Sequence, residues 1–174
     1  MSEWKEIKAK IIKCLQRLYH DDSELFKRNK GRGISERCLN FRFAHYLQIA
    51  FKNDYFVDCD FNSFKLNEIG QSQKQIPNPD GRPIGRYIDI LIHKRDKYQI
   101  NNIACFEMKK WNNRENQGIE KDINNLKYLT RSDGLGYSYG FHVIYGKCLE
   151  TTKIQVFENG QKVPIQVWQD FNDE

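Results

Sequence analysis

Apolar residues near the start of the chain recur at three- and four-residue steps: Trp4, Ile7, Ile11, Cys14, Leu15 and Leu18. That period lines one face of a helix and predicts an amphipathic α-helix over residues 3–19. The segment KRNKGRG (27–33) interrupts the pattern with glycines and cations. It reads equally as a solvated interhelix loop or as a loop that grips a polyanion. A second helix is predicted from Ser35, whose hydroxyl suits an N-cap, with Glu36 in the first turn. Leu39, Phe43, Tyr46, Leu47 and Ala50 give it an apolar stripe.

The period then switches to two. In YFVDCDF (55–61), Tyr55, Val57, Cys59 and Phe61 alternate with Phe56, Asp58 and Asp60, which predicts a strand. Asp58 and Asp60 share one face of it, read as solvent-exposed. Residues 62–85 are polar, contain Gly and Pro, and predict a long mobile loop. YIDILIH (87–93) and NIACFEMKK (102–110) are β-rich runs, and the polar stretch between them is short enough for a hairpin. Ile119, Ile123, Leu126 and Leu129 predict a third helix over 118–130. YGFHVIYG (139–146), KIQVFE (153–158) and KVPIQVW (162–168) predict strands, the last two joined by an Asn-Gly turn. The expected order is α-α-β-β-β-α-β-β-β, an α/β (α+β) fold with a central mixed sheet flanked by helices.

Composition narrows the class without fixing a function. A chain of 174 residues with 39% hydrophobic and 29% charged residues fits one globular domain, residues 1–174. Lys and Arg total 28 against 23 Asp and Glu, a net charge of +5 that permits a polyanionic partner. Five dispersed cysteines with no C-x-x-C read as thiols in a reducing compartment. No apolar run reaches the ~18 residues of a membrane span, and the N-terminus lacks a signal-peptide core. The expectation is a cytoplasmic protein with no membrane partner. There is no P-loop, and GLGYSYG (134–140) lacks the setting of a dinucleotide fingerprint.

The candidate chemistry lies in the two β-rich runs. On a strand, Glu107 and Lys109 share one face, about 7 Å apart. Asp89 lies among Ile88, Ile90 and Ile92. If the two runs pair as an antiparallel hairpin turning near Tyr98, Asp89 stands opposite Glu107 with Cβ atoms about 5 Å apart. A slip of one residue would undo this. Asp80, in the turn-like NPDG, is the poorer partner, since turn aspartates usually bond their own backbone. One reading of Asp89, Glu107 and Lys109 is a solvated sheet face with a cross-strand ion pair. The other is a site for a hard divalent cation. Apolar neighbours argue for burial, and buried carboxylates need partners. Mg²⁺, or Mn²⁺ in its place, takes oxygen ligands and needs only one or two carboxylates plus substrate phosphates. With a lysine adjoining, that is the composition of a hydrolytic phosphodiesterase site.

These residues resemble the PD-(D/E)XK nuclease superfamily, whose fold is restriction-endonuclease-like. The match is Asp89 in YIDILIH, Glu107-Met108-Lys109 in FEMKK, and Glu36 in SERCLNFRFAHYLQ. It extends to a family of small bacterial proteins with this core through ERCLNFRFAHYL, VDCDFN, IDILIHKR, EMKKW and DINNLKYLT, roughly residues 34–146. The resemblance implies metal ligation by Asp89, Glu107 and the main-chain carbonyl of Met108. It implies a catalytic lysine at Lys109, and Glu36 approaching the metal or its water from the helix. Ile88 stands where the family motif often has proline. From the residues alone, Glu36 is equally a favourable charge at a helix N-terminus.

The resulting expectation is a Mg-dependent nuclease acting on nucleic acid, DNA foremost, by attack of activated water. The alternative is a non-catalytic nucleic-acid-binding or assembly module on the same fold. Arg37, Arg42, Lys110, Lys121 and Lys127 stand open between phosphate contact and ordinary charged surface. A chain this short leaves targeting to a homodimer or a partner protein. His45 and His142 read as packed histidines. His93 falls on the face of Asp89, without a catalytic role.

Overall fold

The computed structural model describes residues 3–27, 34–52, 54–61, 63–66, 70–73, 75–77, 83–85, 87–96, 98–111 and 116–164. Helix α1 (Glu3–Asp21) is followed by a 3₁₀ turn and helix α2 (Glu36–Phe51). Ser35 caps α2: its side chain accepts a hydrogen bond from the Cys38 N–H. Strand β1 (Phe56–Phe61) comes next, then four short strands, β2 (Ser63–Leu66), β3 (Gly70–Gln73), β4 (Gln75–Pro77) and β5 (Pro83–Gly85). Strands β6 (Ile88–His93) and β7 (Asn102–Lys110) lead to helix α3 (Asn116–Thr130), and β8 (Tyr139–Tyr145), β9 (Lys153–Glu158) and β10 (Gln161–Lys162) complete the described elements.

The protein is α+β, with three α-helices among the described residues and a six-stranded mixed sheet ordered β1-β6-β7-β8-β9-β10. All its pairs are antiparallel except β7 with β8. A parallel pair needs a crossover connection, and α3 supplies it. Strand β7 is buried from Ile103 to Met108, as befits a central strand covered on both faces.

Alternation along β6 and β7 divides the core in two. Ile90, Ile92, Ala104, Phe106 and Met108 pack with α1 and α2 through Ile11, Leu18, Phe43 and Leu47. Leu91 and Cys105 point the other way and pack with Leu126 and Leu129 of α3. Asp89, Glu107 and Lys109 belong by parity to the second face.

Several expectations change. Residues 62–85 were expected to form one loop. Instead β2 pairs with β3, and β4 with β5, as two small antiparallel ladders. Polar strands of three or four residues carry too little alternation to announce themselves. Of the expected strand 162–168, Lys162 lies in β10, Val163 and Pro164 lie in no strand, and residues 165–174 lie outside the described residues. So do most of KRNKGRG and all of Asp80. The Asn-Gly turn forms as expected: Asn159 and Gly160 both take positive φ, 46° and 75°, and Gln161 pairs with Glu158. Those dihedrals are the geometry that favours Asn-Gly in a two-residue hairpin.

Asp58 and Asp60 do not share an exposed face. Asp60 is exposed and holds a left-handed φ of 49°, interrupting the ladder where it would meet Asp89. Asp58 is shielded, 2.9 Å from His93 Nε2 and 2.7 Å from Arg95 Nε. His93 is therefore turned to Asp58. The β6–β7 register shift falls on β7, where Ile103 is the extra residue, and β6 stays in step with β1. His93 so keeps the face that Asp89 and Leu91 share and meets Asp58, the partner of Leu91.

Candidate functional site

The hairpin fixes the central pair. Ile90 lies opposite Phe106, Leu91 opposite Cys105 and Ile92 opposite Ala104, so the next step along the ladder brings Asp89 level with Glu107. The Met108 N–H donates to Asp89 Oδ2 at 2.7 Å, which ties the aspartate across to β7. Glu107 is 4% exposed, and its Oε1 accepts from Asn125 Nδ2 of α3 at 2.9 Å. The sheet and α3 thus hold the two carboxylates on one face by separate donors.

Lys109 follows on the same face. Its Nζ lies 2.7 Å from Asp122 Oδ2, 3.9 Å from Glu36 Oε1 and 3.4 Å from the Met108 carbonyl. The Asp122 approach is an ion contact, not a well-aimed hydrogen bond. Glu36 reaches the end of β7 from the first turn of α2, and the Lys110 N–H donates to its Oε2 at 2.8 Å. Its place in the fold is therefore set by the α2 N-terminus and the β7 backbone together.

The electrostatics follow from burial and crowding. Burial raises the Asp89 pKa to about 6; Glu36 and Asp122 add to the rise, while the Met108 N–H and Lys109 oppose it. Burial, then the charges of Asp89 and Asp122, hold the Glu107 pKa well above its ordinary value against Asn125 and Lys109. Burial alone would lower the Lys109 pKa, but Asp122, Glu36 and Asp89 raise it, so the side chain is an ammonium. Acids this crowded gain from any added cation.

The donor set suits a hard ion. Two carboxylates and the Met108 carbonyl present oxygen only. Among the described residues, no three His, Cys, Asp or Glu side chains form a ready cage. An ion here would complete its shell with water or substrate oxygen, which is how Mg²⁺ is commonly held. Asp89, Glu107 and the Met108 carbonyl fit that habit; a thiolate- or imidazole-loving metal they do not fit.

The expected cationic residues divide. Arg37, Lys121 and Lys127 are exposed. Arg42 is engaged at the end of α1, donating from Nε to Asp22 Oδ2 at 2.9 Å and from Nη2 to the Tyr46 hydroxyl at 3.0 Å. Lys110 is buried; its ammonium donates to the Ile34 carbonyl and sits 5.0 Å from the Trp111 ring centre. Both anchor α2 within the fold.

Sequence reasoning passed over Asp122, Asn125 and His142 as site residues. Asp122 and Asn125 lie three apart, so one face of α3 carries both. The signal was present: both flank the stripe Ile119, Ile123, Leu126 and Leu129, and both are buried. His142 is paired in register with Glu107 and 1% exposed, and neither ring nitrogen has a partner among the described residues. Burial lowers its pKa, with Asp122 opposing and Lys109 assisting.

No protein-family model, curated protein or solved structure matches this chain. The geometry of Asp89, Glu107, Lys109 and α3 is therefore what a functional reading must answer to.

Proposed function

We propose that this chain is a metal-dependent nuclease of the PD-(D/E)XK type on a restriction-endonuclease-like fold, hydrolysing phosphodiester bonds in nucleic acid, DNA foremost. The single observation that carries the reading is the convergence of Asp89, Glu107 and a protonated Lys109 on one sheet face beneath α3. A face that only met solvent would not bury Glu107 beside two further acids.

Asp89, Glu107 and the Met108 carbonyl would hold Mg²⁺ or Mn²⁺. When bound, such an ion lowers the pKa of a coordinated water and neutralises charge on a phosphate oxygen. Lys109, fixed as an ammonium, donates to the oxygen on which negative charge grows during attack at phosphorus. Its charged state makes it an electrostatic partner and not a proton acceptor. Glu36 approaches from α2 and can accept a hydrogen bond from the attacking water. The exposed Arg37, Lys121 and Lys127 supply positive charge for the phosphate backbone on either side.

The test is cleavage of supercoiled plasmid, linear duplex, single-stranded DNA and RNA with Mn²⁺, run beside Lys109→Ala and Glu107→Ala. Wild type cleaves at least one substrate, and each variant loses about a hundredfold or more in rate. Equal cleavage by all three proteins would rule out this site as the source.

A further inference from the structure

The contact between Lys109 and Asp122 raises a question of competition. Lys109 sits two residues from Glu107 on the same strand face and carries a flexible four-carbon stem with a compact charge. Left to itself beside two partly or fully buried carboxylates, an ammonium would settle on them. There it would occupy the oxygens that a divalent cation needs. Its Nζ is instead 2.7 Å from Asp122 Oδ2, and Asp122 is 6% exposed. A buried carboxylate requires a partner, and Lys109 is the cation that meets it. One turn further along α3, Asn125 holds Glu107 through a neutral donor. The same helix thus restrains the acid with an uncharged group and draws the lysine aside with a charged one.

We infer that Asp122 is a positioning residue that holds the Lys109 ammonium away from Asp89 and Glu107 and so keeps those carboxylates open to a divalent cation. The inference rests on the proposed reading of Asp89 and Glu107 as cation ligands. Asp122 itself touches no metal ion in this scheme; it acts through Lys109. Its removal turns Lys109 from a neighbour of the site into its occupant.

The experiment is calorimetric titration of the whole chain with Mn²⁺ alone, without nucleic acid. Wild type binds, and Asp89→Asn abolishes binding. Asp122→Asn keeps the side-chain shape but releases Lys109, and its Mn²⁺ affinity falls about tenfold or more, the scale typical of groups that orient metal ligands. Asp122→Ser carries the same expectation with a different side chain, so misfolding of one variant leaves the test standing. Adding Lys109→Met to either variant removes the competitor and restores wild-type affinity. Lys109→Met alone binds at least as tightly as wild type.

If Asp122 were a cation ligand, the double variants would stay as weak as the single ones, and the inference would fall. It falls equally if Asp122→Asn binds like wild type. No Mn²⁺ binding by wild type would overturn the cation reading of Asp89 and Glu107 and this inference with it. Wild-type binding with no rescue overturns this inference alone.

Discussion

Asp58 shows how two partners change one acid. Burial would raise its pKa, but hydrogen bonds from His93 and Arg95 and the Arg95 charge hold the carboxyl well below its ordinary range. A depressed native pKa stabilises the fold above the unfolded value, about 3.9, and the contribution is lost as pH falls towards the native one. Asp58→Asn is therefore less stable than wild type at neutral pH, and the gap narrows as acid protonates Asp58 in the unfolded wild-type chain. Denaturant unfolding from about pH 7 to about pH 3 reads this directly; a gap that stays constant would contradict it. At this scale the sequence was partly legible. Alternation through Ile88, Asp89 and Ile90 placed Asp89 facing Glu107, because a period of two leaves only two faces. It also placed His93 on the face of Asp89, but not against Asp58, because the pairing of β1 with β6 is non-local and carries no mark in composition. Nor did it bring in Asp122, because whether a residue beside an apolar stripe meets the sheet depends on the helix's rotation.

Elements carry the site's residues to their places, and α2 is the clearest case. The Ser35 side chain accepts from the Cys38 N–H at 3.2 Å, which closes the first turn. Glu36, in that turn, accepts from the Lys110 N–H. Ser35→Ala removes the cap at a cost of about 1 kcal/mol and lowers the melting temperature by about 3 °C. It also loosens the turn that presents Glu36, so on the proposed nuclease reading divalent-dependent cleavage falls with it while Lys109 stays in place. Calorimetric melting checks the first effect; an unchanged melting temperature would mean that the cap contributes nothing. This start signal was readable as Ser-Glu ahead of an apolar stripe, and the β9–β10 turn was readable as Asn-Gly. The ladders within 62–85 were not, since their stability comes from pairing and not from any period in their residues.

At the scale of the whole molecule, the arrangement depends on one crossover. Strand β7 brings Glu107 and Lys109 to the middle of the sheet, α3 crosses the face they share, and β8 returns parallel to β7. The helix that completes the parallel pair is also the one that supplies Asp122 and Asn125. That coupling was not legible beforehand. The strands and helices were visible as periods, but their stacking order, and so the face beneath α3, is a property of non-local pairing. No helix among the described residues is long and apolar enough to cross a membrane. The central claim remains local: Asp89 and Glu107 share one divalent cation beside the Lys109 ammonium. A crystal soaked in Mn²⁺ tests it most directly. The account predicts an anomalous peak within about 2.2 Å of a carboxyl oxygen from each of Asp89 and Glu107, with Lys109 still against Asp122. Density at some other cluster, with those two acids bare or bridged by Lys109, would contradict it.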